Sequence, residues 1–478
     1  MSAKTAQIWF SVLILVVVVA IGAYVLSRPS ASLAPAPFGC ANCNVIIVGM
    51  DAMRADHIHA LGYPLETTPN LDALIAHSYT FTNAISASNW TVPGFMSIFT
   101  GVFPSIHKVV NKYVTYTPTS QILSNLQQLS PNIDTLAQSM KANGYATGGF
   151  TGDAGVNHVF GDGAGFDVYT DNITFGDLAN SDTHATAWLD SLQKGQKFFM
   201  FYHGYDMHGM NYLPPAERIF VPKNYTGPYD GSPAEEAKLR EQQLLPGGIH
   251  LTPQDVAFWT GLYDSKVHEA DAEFGNFLNQ LKARGLLKNT IIVILADHGE
   301  EIYDHGGIDH GQSLYDELIH VPLIVSIPNA PGGVQISGQV TTMDIGKAIL
   351  NLVGATPNAA FASQTAGRPN LVTYLEDPSK PGYTVYVETD YRDYTHERSI
   401  RTPDGWTYIL TLESGKEELY NLNTDPTEHT NLIGNPVDQT EAEKLRTALR
   451  AHLTDDLHTD LSKPMSTGCL PVYDGECQ

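Results

Sequence analysis

Two apolar runs organise the chain, Val45-Ile46-Ile47-Val48 and Ile291-Ile292-Val293-Ile294-Leu295. Both are continuous rather than alternating, the pattern of a strand buried on both faces in a parallel sheet. Each runs directly into polar residues, the first into Gly49-Met50-Asp51 and the second into Ala296-Asp297-His298-Gly299-Glu300. Between them, the Pro93 position and the apolar spacing of Ser88 to Gly101 predict a helix that starts near Thr91 and ends at Gly101. Helical spacing also marks Ile133 to Ala142, ending near Gly144, and Asp255 to Leu286, which feeds the second apolar strand. After about Pro381 the pattern changes to short strands with turn signals, Ser399-Ile400-Arg401 and Trp406-Thr407-Tyr408-Ile409 around Pro403-Asp404-Gly405, and Glu441 to Leu453 closes as a helix. The whole predicts a large alternating α/β domain without internal repeats.

The N-terminus adds a different element. Ile8 through Leu26 is nearly all apolar, flanked by Lys4 and Arg28, and is long enough to span a bilayer. The following Ser/Ala/Pro segment offers only Pro-spoiled cleavage sites, so an uncleaved signal-anchor is favoured over a cleaved signal peptide. The expected organisation is a short tail over 1–7, a transmembrane anchor over 8–27, a linker over 28–43, a main α/β domain over 44–380, and a C-terminal subdomain and tail over 381–478. Cys40, Cys43, Cys469 and Cys477 flank the folded part, and their even number beside an export segment predicts two disulfides with three possible connectivities. A four-Cys zinc site is the runner-up. The anchor and cysteines together place the catalytic domain outside the cytoplasm, periplasmic or extracellular. Asn172-Ile173-Thr174 and Asn224-Tyr225-Thr226 are glycosylation sequons, relevant only in a eukaryotic secretory pathway.

With 478 residues, 43% hydrophobic and 16% charged, the chain can bury a large core. Its 51 Asp and Glu against 27 Lys and Arg give a net charge of −24, which disfavours nucleic acid as a partner. An anionic small substrate would instead need local positive potential. The strand ends supply candidates, since ligands of open α/β sheets collect at the carboxyl ends of strands. There Asp297 and His298 offer a hard oxygen and a borderline nitrogen to one divalent ion, and Asp51 can reach the same edge. Thr91, at a helix N-terminus, could act as an N-cap or as a nucleophile facing an anion.

A series of motifs then narrows the reading. Val48-Gly49-Met50-Asp51-Ala52-Met53-Arg54-Ala55-Asp56 is followed by Thr67-Thr68-Pro69-Asn70-Leu71-Asp72, then by Thr91-Val92-Pro93 through Ser97 and Thr100-Gly101. Phe198-Phe199-Met200-Phe201-Tyr202-His203 leads to Asp206-Met207-His208, Tyr212 and Pro214-Pro215. Asp297-His298-Gly299-Glu300 precedes His310-Gly311, Leu314-Tyr315-Asp316-Glu317 and Val321-Pro322-Leu323, and Glu418-Leu419-Tyr420-Asn421-Leu422 with Asp425-Pro426 and Asn431-Leu432 closes the series. In this order they resemble the sulfatase family of the alkaline phosphatase superfamily, from about Asn44 to about Leu453. The resemblance implies an alkaline-phosphatase-like α/β fold, its mostly parallel sheet flanked by helices, with a smaller C-terminal antiparallel subdomain.

Two departures qualify the activity so implied. Sulfatases that cleave sulfate esters usually carry a Cys or Ser that is oxidised to formylglycine, with an Arg two residues after the Pro; here those positions are Thr91 and Phe95. A Thr cannot give an aldehyde, so a sulfated Thr91 could not expel sulfate by re-forming a carbonyl, whereas a phosphorylated one can be cleared by water attacking phosphorus. Ala52 stands where many relatives place a second aspartate. The implied ligands are therefore Asp51, Thr91, Asp297 and His298, a set similar to that of the family's membrane phosphoglycerol and phosphoethanolamine transferases.

Among the 18 histidines, His208 matches a family position at the substrate oxyanion, and His310 lies where relatives use a leaving-group acid or a ligand. His203, Asp206 and His305 are weaker candidates for hydrogen bonding behind the ligands, and His107, His158 and His268 are expected to be ordinary. If Asp206, His208 and His310 converge, they could hold a second metal. The reading is a metal-dependent hydrolase or transferase in which Thr91 forms a covalent intermediate, His208 and His310 assist, and a phosphodiester or phosphonate is preferred. The cofactor is Mn²⁺, Ca²⁺ or Zn²⁺, one ion or two. The partner is an anionic ester on a small molecule, lipid headgroup or glycan, with the membrane reached through the N-terminal helix. Sulfate-ester hydrolysis, phosphoglycerol or phosphoethanolamine transfer, and a non-catalytic binding protein are the alternatives.

Overall fold

The computed structural model describes residues 39–110, 114–116, 122–124, 128–171, 175–209, 212–391 and 395–457. The expected anchor over 8–27, most of the linker, Cys469, Cys477 and the Asn172-Ile173-Thr174 sequon lie outside these. Among the described residues no helix is long and apolar enough to cross a membrane.

Nine strands form the main sheet: β1 Asn44–Met50, β2 Tyr79–Ile85, β3 Ala146–Phe150, β4 Val168–Thr170, β5 Phe198–Gly204, β6 Thr290–Leu295, β7 His320–Ser326, β8 Val334–Ile336 and β9 Val340–Thr341. Their order is β8-β2-β7-β6-β1-β5-β3-β4, with β9 also on β2. Only β7 runs against its neighbours β2 and β6, so the sheet is mixed and mostly parallel. The two apolar runs are β1 and β6, side by side at the centre. Val45, Ile47, Ile291, Val293 and Leu295 face one core, and Ile46, Val48, Ile292 and Ile294 face the other. Burial on both faces is the physical reason that these strands read as unbroken apolar runs.

Helix α1, Thr91–Thr100, packs its Phe95, Ile98 and Phe99 into the first core and stops at Gly101, whose φ of +70° suits a residue without Cβ. The helix expected from Ile133 begins later, as α2 over Leu136–Ala142, because Thr135 and Gln138 form a capping box. Helices α3, Leu178–Ser191, and α4, Pro233–Gln242, precede the long α5, Pro253–Ala283. Helix α5 buries Phe258, Trp259, Phe274 and Phe277 in the second core. It ends a few residues before the expected Leu286.

The C-terminal strands β10 Val385–Tyr391, β11 Thr395–Arg401, β12 Trp406–Thr411 and β13 Glu417–Asn421 form an antiparallel sheet in sequence order, covered by α6, Gln439–Ala451. This sheet braces the start of α1. Ser88 Oγ donates to the Glu388 carbonyl at 2.7 Å, and Tyr391 packs edge-on against Trp90 at 5.4 Å. Cys40 and Cys43 form a disulfide three positions apart just before β1. That local pairing removes the four-Cys zinc alternative.

Candidate active site

Pairing of Gly49 with both Leu295 and His203 brings the carboxyl ends of β6, β1 and β5 to one edge. Asp51 follows β1, Asp297 follows β6, and all four side chains of the expected ligand set are buried there, Asp51, Thr91, Asp297 and His298. Helix α1 can approach because position 94 is a glycine; a Cβ there would sit 2.9 Å from the Asp297 carbonyl oxygen. Thr91 Oγ1 lies 3.2 Å from Asp51 Oδ2 and 3.3 Å from His298 Nε2. His298 Nδ1 donates to the Gly299 carbonyl at 2.7 Å, which leaves its Nε2 as a lone pair, 3.3 Å from Asp297 Oδ2.

The electrostatics of this cluster are those of a cation site. Asp51 Oδ1 and both Asp297 carboxylate oxygens are buried without a hydrogen-bond partner among the described residues. Burial alone would raise Asp51, but His203, His298 and His208 around it hold the carboxyl below its ordinary range. Asp297, buried beside the Asp51 charge, is pushed well above it. Burial likewise keeps His298 neutral, at about 3. Unpartnered carboxylate oxygens facing a bare imidazole nitrogen are the donors that a divalent ion satisfies, and Asp51, Asp297 and His298 offer atoms within 4.8 Å of one another. The residues present fit a metal.

A second cluster lies alongside. The His310 ring is 4.1 Å from that of His298 and 5.0 Å from that of His208. The partner of these histidines is Asp309, not Asp206. Asp206 turns away to accept the Leu178 backbone N–H at 3.0 Å, at the first residue of α3, and burial pushes its carboxyl up to about 8. Asp309 ends a short ribbon of Glu301–Ile302 paired with Ile308–Asp309, at φ +74°. Arg240 Nη1 on α4 holds Asp309 Oδ2 at 2.8 Å, while His310 Nδ1 lies 2.9 Å from Asp309 Oδ1 and 3.2 Å from Glu300 Oε1. Asp309 and Arg240 escaped the sequence reading. A signal existed: Asp-His-Gly occurs at 297–299, 304–306 and 309–311. The middle copy serves the scaffold, with Asp304 on Arg54 at 2.8 Å and His305 Nδ1 on Glu317 at 2.7 Å.

The other expectations resolve one by one. His203 sits 3.8 Å from Asp51 Oδ2, wrapped by Phe95, Phe201 and Tyr205, so it stands behind the ligands. His107 is buried against Ser97, and His158 pairs with Asp171 at the surface. Ala52 takes φ +58° and gives its carbonyl to Tyr263. Phe95 fills an apolar socket of Gly49, Phe99, Phe201 and His203, and a Cβ on Gly49 would come within 2.9 Å of its ring.

A mostly parallel α/β sheet with an acid–imidazole cluster at its strand ends, facing a hydroxyl on a helix N-terminus, defines an ester hydrolase. The Sulfatase family model matches residues 43–355, and the chain belongs to the sulfatase family of the alkaline phosphatase-like superfamily. It is 25% identical over 452 residues to a sulfatase of Formosa agariphila, covering 85% of this chain and 86% of that protein. It is also 25% identical over 466 residues to an ulvan-active sulfatase of the same organism, with 87% and 81% covered. The solved structure of BT4656 in complex with its substrate D-glucosamine-2-N,6-O-disulfate superposes with a TM-score of 0.70 at 18% identity, over 89% of this chain and 100% of that one. The phosphonate monoester hydrolase of Agrobacterium radiobacter superposes with a TM-score of 0.66 at 19% identity, over 91% and 99%.

Proposed function

We propose that this chain hydrolyses an anionic ester by attack of Thr91 Oγ1 on the central phosphorus or sulfur, with a phosphodiester or phosphonate monoester as the substrate its own residues favour. The observation that carries the reading is the position of that hydroxyl, within 3.3 Å of both Asp51 and His298 at the first residue of α1. Either neighbour is in reach of the Thr91 proton, and the positive end of α1 favours the anion. Attack breaks the bond to the leaving oxygen, and water then releases the acid and restores Thr91. Asp51, Asp297 and His298 would hold a divalent ion, which supplies positive charge to the nucleophile and to the developing oxyanion. We assign His208 to the substrate's anionic oxygens and His310 to the leaving oxygen, as acid or as ligand, a pairing that the 5.0 Å separation of their rings supports.

The preference for phosphorus rests on the methyl of Thr91 and on Phe95. Thr91 cannot become an aldehyde, and the socket of Phe95 is apolar where formylglycine formation expects Arg. Sulfate-ester hydrolysis is the second reading, and the relatives' names favour it over the first: the Formosa proteins are sulfatases, and BT4656 carries a sulfated sugar. The phosphonate monoester hydrolase supports the first. Release to water, rather than transfer to a lipid or glycan hydroxyl, accords with the hydrolases among these relatives. The apolar run over Ile8 to Leu26 and the Cys40–Cys43 disulfide support a membrane-anchored, extracytoplasmic catalytic domain, which protease protection in intact cells tests.

Initial rates on p-nitrophenyl sulfate, p-nitrophenyl phosphate, bis-p-nitrophenyl phosphate and p-nitrophenyl phenylphosphonate, each against Thr91→Ala, test the activity. The expected outcome is the highest kcat/KM on the diester or phosphonate, abolished in the variant. Sulfate turnover well above the other three would establish the second reading.

A further inference from the structure

We propose that the amino edge of the main sheet, opposite the active site, docks on the surface of an anionic phospholipid bilayer through Lys194, Lys197 and Lys288. Such docking rests on the membrane anchor read in Ile8 to Leu26, and it fixes which side of the fold the anchor holds against the lipid.

The two edges of the sheet differ in charge. Asp51, Asp297, Glu300 and Asp309 crowd the carboxyl edge. At the amino edge, the segments that lead into β1, β2, β3, β5 and β6 are 39–43, 76–78, 143–145, 192–197 and 284–289, and 327–333 joins β7 to β8. None of them contains an Asp or a Glu, in a chain with 51 acidic residues and a net charge of −24. They carry Lys194, Lys197, Arg284 and Lys288 instead. Two acids adjoin this edge, and both are already paired, Asp190 with Arg284 at 2.8 Å and Asp167 with Lys141 at 2.7 Å. Lys194 and Lys288 are exposed and Lys197 is half-buried, and among the described residues none of the three has a carboxylate partner. Loops 192–197 and 284–289 border a cleft of about 480 Å³, roomy enough for a phosphate-bearing headgroup.

The chain enters the fold at the same edge. The Cys40–Cys43 disulfide closes just before β1, the Asn42 backbone N–H donates to the Val353 carbonyl at 3.3 Å, and Lys197 Nζ donates to Asn42 Oδ1 at 3.4 Å. Residues 27–39, between the apolar run and this entry, reach at most about 45 Å when fully extended. That tether keeps the lysines near the bilayer but is too long to press them onto it. Contact is then decided by charge, and each lysine beside an anionic leaflet favours the docked state by about fivefold. The seven residues of β1, at about 3.3 Å each, set the Thr91 edge roughly 20 Å further from the lipid. An ester that reaches Thr91 then arrives from the aqueous side rather than from a headgroup of the same bilayer.

Hydrogen exchange of the full-length chain, mixed with vesicles of phosphatidylcholine alone or of phosphatidylcholine with phosphatidylglycerol, tests the docking. Exchange over 192–197 and 284–289 is expected to slow severalfold only where phosphatidylglycerol is present, with 301–311 at the opposite edge unchanged. The double variant Lys194→Glu, Lys288→Glu is expected to lose that difference while turning over a small soluble ester like the unaltered protein. Equal exchange of the unaltered protein with both vesicles would overturn the proposal, as would protection that the double variant retains. Protection produced by inorganic phosphate without anionic lipid would assign the cleft to a free anion, and protection that grows with protein concentration in detergent would assign the edge to a second copy; either result overturns lipid docking. Flotation with phosphatidylcholine vesicles reads the anchor by itself. A chain that does not float with them lacks the anchor, and its exchange with the anionic vesicles still decides the docking.

Discussion

The two histidine–carboxylate clusters sit side by side yet are built on opposite principles. Asp51, Asp297 and His298 emerge from the ends of neighbouring central strands and keep buried carboxylate oxygens with no hydrogen-bond partner among the described residues. Asp309 and His310 come from a ribbon of two-residue strands and are already matched, to Arg240 and to Glu300. Among the described residues no Lys or Arg pairs with the first cluster, whose donors are those that a divalent ion satisfies. The second is already satisfied by the protein's own groups. The difference separates a site the fold enforces from one its loops and α4 tune.

The largest effect that could break this comparison is at Thr91, the proposed nucleophile beside the first cluster. Thr91→Ala is expected to lower kcat by on the order of 10⁴-fold or more while leaving the circular dichroism and metal content unchanged; Thr91→Ser is expected to keep a substantial part of the activity, because the hydroxyl remains. Asp297→Asn comes next, with loss of the ion by elemental analysis and a fall in kcat/KM on the order of 10³-fold. Full metal occupancy and activity in that variant would remove Asp297 from the ligand set. Phe95→Ala acts through the scaffold instead. Emptying its socket is expected to cost about 3–5 kcal/mol in denaturant unfolding, with a smaller proportional loss in the metal count than Asp297→Asn.

Arg240→Gln sharpens the contrast, since it leaves the first cluster intact. It is expected to leave the divalent ion of the first cluster bound with unchanged affinity, as isothermal titration would read. The smallest effect concerns the middle Asp-His-Gly copy. Burial would lower His305, but its bond to Glu317 raises it to about 9. The folded state therefore holds a proton that the unfolded chain releases near pH 6.5. The stabilisation is fully present below about pH 6.5 and is lost as pH rises through about 9. His305→Gln is expected to lower Tm relative to the unaltered protein at pH 6 and to match it more closely at pH 10; an equal difference at both would dissociate His305 from this role.

Much of the first cluster was legible because burial on both faces forces β1 and β6 into unbroken apolar runs, and the polar residue that ends such a run must lie at the sheet edge. The ends of α1 were legible through Pro93 and Gly101. Resemblance supplied the rest of the motif order, including His208 and His310. What failed was long-range partnering. Asp206 stands in a motif beside His208, yet its oxygens accept from Leu178, 28 positions earlier, a contact that no local pattern encodes. Asp309 lies in a strand of two residues, too short to show a period, and Arg240 sits on α4, whose polar sequence gives no reason to single out one cation. The threefold Asp-His-Gly pattern was visible, but only the fold distinguishes the copies whose His298 and His310 rings meet from the one that braces Tyr315 and Glu317.

The central claim, that Thr91 forms a covalent bond to the substrate, is tested most directly by rapid quench of the enzyme with a phosphodiester followed by peptide mass spectrometry. A phosphoryl-derived mass is expected on the peptide containing Thr91, formed within the first turnover and absent in Thr91→Ala. Efficient ester turnover with no adduct on Thr91 at any quench time would contradict it.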